Sequence, residues 1–242
     1  MDGKFEPSFL STRFDGRVTD KLVIEAFGDS LTVGYLSPTL GDEQPLPRPY
    51  TEFLSAKTKK MLIGRRAPSL RVEFLNRGVV GELTEDMLDR FDSDVVGPHP
   101  DVVIILGGSN DLGWGLEPPM VAANLGRMVD EALANGIQPV ACTVPSVLGF
   151  DEGIQPRLWL NRLIKEQSSD RGIVCVDLFS ATSDSAGRLR MEYSGDGLHL
   201  SAAGYEAMAE AIFSGAIDEL ISKRLGEDLG QNPSNSKSKT PG

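Results

Sequence analysis

Five short apolar runs punctuate the chain, at residues 22–27, 72–75, 102–106, 139–144 and 173–178, and each has the length and branched-residue content of a buried strand. The segments between them repeat with helical period. The clearest is 120–135, where Val121, Leu125, Met128, Val129, Ala132 and Leu133 fall on one face and Gly136 follows as a stop. Further helices are expected over 50–63, 83–91, 158–167 and 202 to about 221, the last with Ser201 as its N-cap. Strand alternating with helix predicts an α/β fold: a three-layer α/β/α sandwich around a five-stranded parallel sheet.

The expected strand order is the flavodoxin-like 2-1-3-4-5, which makes the first and third strands neighbours at a switch point. In such a sheet, ligands bind beyond the carboxyl ends of the strands. The segments that leave those ends are therefore where chemistry is sought. Residues 28–30 follow the first strand, the glycine-rich 76–84 the second, and 107–115 the third.

Composition narrows the function classes. The chain has 242 residues, 24 Lys and Arg against 35 Asp and Glu, and a net charge of −11, which argues against nucleic acid or an anionic membrane surface as partner. No apolar stretch reaches the length of a membrane span, and the start, MDGKFEPSFLSTRFDG, lacks a basic segment followed by an apolar one, so a cytoplasmic protein without membrane insertion is expected, with a processed secreted form as the alternative. The reading is one domain over 21–225, an N-terminal extension over 1–20, and a disordered polar tail over 226–242. Cys142 and Cys175 lie inside apolar runs and are expected to be buried free thiols. Oligomeric state is left open.

The run AFGDSLTVGY, residues 26–35, ends the first strand on Gly28-Asp29-Ser30. Asp and Ser both cap helices, and a serine at a strand tip can equally serve as a nucleophile if a base, an orienting acid and oxyanion donors reach it. The chain has two histidines. His99 stands between two prolines just before the third strand, which puts it at the amino end of the sheet as an ordinary loop residue. His199, in SGDGLHLSAAGY, comes after the last strand and before the final helix, with Asp196 three positions earlier. Three residues span at most about 10 Å, so an Asp to His hydrogen bond within one loop is easily built. Asp196 would orient His199, His199 would take the proton of Ser30, and the backbone N–H groups of Ser30 and Gly81 with the side-chain amide of Asn110 would meet an oxyanion.

Four ordered blocks then stand out: Gly28-Asp29-Ser30-Leu31, Asn76-x-Gly78-x-x-Gly81, Gly108-x-Asn110-Asp111 and Asp196-x-x-His199. Together they resemble the GDSL or SGNH hydrolase family. The resemblance implies a serine hydrolase of carboxylic esters or thioesters that works through an acyl-enzyme, with lipid, aryl and acetylated sugar substrates all represented. It departs at Glu82, where a shorter acid is common, and at Leu200, where proline often follows the histidine. A hydrolase-like ligand-binding module without catalysis is the competing reading.

No G-x-G-x-x-G, no P-loop and no H-E-x-x-H is present, so no cofactor and no metal are expected. The acidic positions Glu82, Glu85, Asp86, Asp89, Asp92 and Asp94 read as the solvated face and end of a helix. Tyr35, Trp114 and Phe150, with Leu116 and Leu148, are candidates to line a substrate site, walled by 36–49 and 145–156.

Overall fold

The computed structural model describes residues 21–36, 45–67 and 69–226. The extension at 1–20, the tail from 227 onward and most of the loop expected to wall the site at 36–49 lie outside the described residues.

Five strands, β1 (Lys21–Gly28), β2 (Arg71–Gly78), β3 (Val102–Leu106), β4 (Gln138–Cys142) and β5 (Val174–Val176), form one sheet in the order β2-β1-β3-β4-β5. All four pairings are parallel. The expected topology holds. Gly28 is in register with Gly78 on one side and with Leu106 on the other, so β1, β2 and β3 end at one edge.

Residues alternate across the sheet. Leu22, Ile24, Ala26, Val102, Ile104, Leu106 and Val140 face α2 (Tyr50–Gly64) and α8 (Ala202–Ile212), while Phe27, Val103, Ile105 and Ala141 face α3 (Thr84–Asp89), α5 (Pro118–Ala134) and α6 (Ile154–Asp170). Every residue of β3 is buried, as a central strand covered on both faces requires. The outer strand β2 is mostly half-buried or exposed. Cys142 is buried and Cys175, on the other edge strand, only partly so; both are free thiols, and burial pushes each thiol's pKa up.

The departures from expectation have local causes. α5 begins at Pro118, two residues early, because Pro118 and Pro119 occupy first-turn positions where a missing N–H costs nothing. α6 begins at Ile154, with Pro156 likewise inside its first turn. β5 stops at Val176 because Asp177 accepts the N–H of Ser180 at 3.1 Å and caps a short helix, α7 (Leu178–Thr182). The last helix is not continuous: α8 passes through a π turn at Phe213–Ile217 into α9 (Asp218–Arg224). At Gly215 in that turn a β-carbon would lie 3.3 Å from Val176 Cγ2, so β5 and the turn approach closely.

Candidate active site

β1 can end as it does only because residue 28 is glycine: a β-carbon there would come within 2.1 Å of the Leu106 carbonyl oxygen and 2.4 Å of Thr32 Oγ1. The chain turns at once into a one-turn helix, α1 (Ser30–Val33). Asp29 is its N-cap, Oδ1 accepting the Leu31 N–H at 2.9 Å, and Ser30 is its first residue, 4% exposed. The capping role and the strand-tip serine thus coexist in neighbouring residues.

Asp29 is fully buried, and that burial pushes its carboxyl up to about 7. Its Oδ2, the Thr32 hydroxyl and the Tyr50 phenol are buried with no hydrogen-bond partner among the described residues. Beneath the serine, therefore, lies a cluster of polar groups held in low dielectric.

β2 delivers the second block. Asn76 Nδ2 donates to the carbonyl of Thr32 at 2.6 Å while its Oδ1 accepts the Gly78 N–H at 2.9 Å, which ties α1 to the end of β2. Gly81 follows with φ 82°, and among the described residues its N–H has no acceptor. The third block forms α4 (Ser109–Gly113). Asn110 Nδ2 donates to the Glu82 carbonyl at 2.8 Å, so the asparagine and Gly81 are held side by side. Asp111, buried, accepts the N–H of Thr84 at 3.1 Å and its hydroxyl at 2.6 Å, fastening α4 to the start of α3.

One residue that the sequence reading passed over organises this corner. The Arg90 guanidinium pairs through Nε and Nη2 with both oxygens of Glu82 at 2.6 Å, and donates to the Asp94 carboxylate at 3.0 Å, the Arg77 carbonyl at 2.9 Å and the Gly28 carbonyl at 3.2 Å. It also lies 4.0 Å above the Phe27 ring. Its hydrogen bond holds the Asp94 carboxyl below the usual carboxylate range. Here the expectation of a solvated acidic face fails for Glu82 and Asp94: the Glu82 side chain is 11% exposed and engaged by Arg90, whereas Glu85, Asp86, Asp89 and Asp92 are exposed. The signal in sequence was Arg90 itself, one base among many acids.

The fourth block is a loop closed by an isolated bridge between Ser194 and Leu200. Asp196 Oδ1 accepts the N–H groups of Leu198 at 2.9 Å and His199 at 2.7 Å, leaving Oδ2 to meet His199 Nδ1 at 2.8 Å. Gly197, with φ 85°, brings the loop against the residues after β4: a β-carbon there would lie 2.2 Å from the Leu148 carbonyl oxygen, and the Gly197 carbonyl accepts the Leu148 N–H at 2.8 Å. The His199 ring packs on Tyr35, centroids 4.5 Å apart, and the Tyr35 carbonyl accepts the Tyr205 hydroxyl at 2.8 Å. Since Tyr35 ends the segment that starts at Ser30, this tilted ring contact joins the histidine loop to the serine turn.

The structure brings Asp196 onto His199 and Asn110 beside Gly81. It draws no hydrogen bond between Ser30 Oγ and His199 among the described residues. His99 sits before β3, at the opposite end of the sheet, its Nε2 3.0 Å from the Asn135 carbonyl oxygen. Of the lining candidates, Tyr35 touches His199, while Trp114 (79% exposed) and Phe150 (57% exposed) stand outward. An open groove of about 520 Å³ between the end of α4 and the first turns of α6 is lined by Leu112, Leu116, Pro118, Gln155, Trp159 and Arg162. Among the described residues no three His, Cys, Asp or Glu side chains are placed to hold a metal ion, and no helix is long and apolar enough to cross a membrane.

Comparison with known proteins agrees with this fold. The chain is 30% identical over 148 residues to the uncharacterized lipoprotein YqeF of Bacillus subtilis (strain 168), a match that covers 58% of this chain and spans 55% of that protein's length. A lipase/acylhydrolase from Enterococcus faecalis superposes with a TM-score of 0.66 at 24% identity, over 84% of this chain and 96% of that one. A catalytic mutant of an acetylxylan esterase from Geobacillus stearothermophilus gives 0.63 at 21% identity, over 80% and 93%. The family model described as GDSL-like Lipase/Acylhydrolase matches residues 26–207, a span that holds all four blocks and most of the sheet and its helices. The chain therefore belongs to the GDSL-like lipase/acylhydrolase family.

Proposed function

We propose that residues 21–225 form a serine hydrolase domain that cleaves carboxylic esters, and by the same chemistry thioesters, through an acyl-enzyme on Ser30. The observation that carries this reading is the Asp196 to His199 contact: with Nδ1 held at 2.8 Å by the carboxylate, Nε2 is the nitrogen left to work, on a ring packed against the serine's own segment. His199 takes the Ser30 proton as Oγ attacks the ester carbonyl, and Asp196 stabilises the imidazolium that results. The tetrahedral oxyanion is met by the N–H groups of Ser30 and Gly81 and the second amide hydrogen of Asn110, whose first is spent on Glu82. His199 then protonates the leaving alkoxide, and water repeats the sequence on the acyl-enzyme. Tyr35, Trp114 and Phe150 flank the substrate, with Trp114 and Phe150 at the rim.

Treatment with a fluorophosphonate probe tests the proposal, because only an activated serine reacts. One label per chain is expected, lost in Ser30→Ala while the thermal transition persists. Labelling that survives in Ser30→Ala would remove the central assignment. An unlabelled wild-type chain would instead favour the second reading, a fold that binds a ligand without catalysis. The acetylxylan esterase neighbour from Geobacillus stearothermophilus brings acetylated sugars into the substrate screen beside aryl and acyl esters. For location, the cytoplasmic reading is set against a relative named a lipoprotein, and fractionation of producing cells decides it.

A further inference from the structure

Arg157 is the fourth residue of α6, 3% exposed, and among the described residues no carboxylate lies within ion-pairing distance of it. Its Nη1 donates to the Gly153 carbonyl at 3.0 Å and its Nη2 to Ser109 Oγ at 3.3 Å, both neutral acceptors, while Nε is buried with no partner. Other buried or half-buried arginines here, Arg90, Arg171 and Arg65, each have a carboxylate. Two further features make the position costly. The cation stands in the opening turns of a helix, where the backbone dipole is also positive, and burial pulls its pKa down to about 10.

Ser109, which holds the guanidinium, directly precedes Asn110. We propose that Arg157 is an electrostatic positioning residue whose missing counter-charge is the oxyanion that forms beside Asn110, so that its field stabilises the transition state without touching substrate. The inference rests on the proposed esterase reading. An anionic substrate group as the counter-charge is disfavoured by the burial of Nε, which a ligand would not reach. The expected scale follows from Coulomb's law: at an effective permittivity of about 20, a unit charge about 10 Å from a developing charge changes a rate roughly tenfold.

The test measures kcat and KM on a neutral short-chain ester, per probe-titrated site, for wild type, Arg157→Met, Arg157→Gln and Arg157→Lys. The neutral variants should lose about tenfold in kcat with KM within about twofold, and Lys should keep at least a third of the wild-type kcat. Affinity for a trifluoromethyl ketone, which forms an oxyanion on Ser30, should fall in parallel with kcat. Unchanged kcat in Met and Gln, or a Lys variant as impaired as they are, would overturn the inference. If neither neutral variant folds, the Lys variant decides alone: labelled by the probe but tenfold slower, it sinks the proposal. If wild type itself neither labels nor hydrolyses, the esterase reading fails first and takes this inference with it, whereas an active wild type with flat Arg157 variants removes the inference only.

Discussion

The histidine loop and the Arg90 corner are built in opposite ways. From Ser194 to His199 the functional contacts close within five residues: Asp196 serves Leu198 and His199, and Ser194 Oγ donates to the His199 carbonyl at 2.6 Å. Arg90 instead gathers Gly28, Arg77, Glu82 and Asp94, with partners up to 62 positions away. The first arrangement is a local turn that, in the proposed reading, carries the chemistry. The second carries no reacting atom, yet it holds the ends of β1 and β2 and the residue whose carbonyl anchors Asn110. On the proposed reading chemistry and support are separable in this site, and substitutions should separate them.

The sharpest break is at the loop. His199→Ala should lower kcat by roughly 10⁶-fold, on the scale of triad histidine deletions, while the melting temperature stays near wild type and His99→Ala remains active. Steady-state kinetics on both variants reads this, and an active His199→Ala with a dead His99→Ala would reverse the assignment. Asn110→Ala lies between the regions, since the asparagine is anchored by the Arg90 corner and, in the proposed function, donates to the oxyanion. Its kcat per labelled site should drop about 10²–10³-fold with KM little changed. A value near wild type would make the asparagine purely structural.

Arg90→Met should show the contrary profile. Removing the guanidinium leaves the Glu82 carboxylate, 11% exposed, without its partner, at a cost of about 3 kcal/mol in urea unfolding. Activity per folded site should fall far less than in His199→Ala. Equal stability in the variant would show that the corner does not hold the site together.

The smallest effect concerns Asp29. Its folded-state pKa of about 7 exceeds the unfolded value, so the native state holds a proton that the unfolded chain has released. The stability this confers is full below the unfolded pKa and is lost as pH rises through the folded one. Asp29→Asn keeps an oxygen to cap Leu31 but does not titrate. Relative to wild type it should gain about 2 kcal/mol in unfolding free energy between pH 4 and pH 6. Parallel stability curves for the two proteins over that range would refute the shifted carboxyl.

The same division marks what could be read from the chain alone. Apolar runs and helical period determined the five strands, their parallel sense and the edge where the loops gather, because burial on both faces of a sheet imposes near-continuous hydrophobic runs. The Asp196 to His199 pairing was legible too, since three residues of chain limit how far the partners can separate. Helix starts at Pro118 and Ile154 and the π turn at Phe213–Ile217 were not, because proline is tolerated in a first turn and apolar spacing cannot register one residue added to a helix. Tertiary structure alone decided that Glu82 leaves the solvated face for Arg90, that Asn110 spends one amide hydrogen on Glu82, and that Arg157 is buried with no acid paired to it among the described residues. These outcomes depend on which charges meet across the sheet edge once the strands pair. A charge in sequence carries no mark of its partner, and in low dielectric the partner determines whether it supports, reacts or stands ready for a charge yet to form.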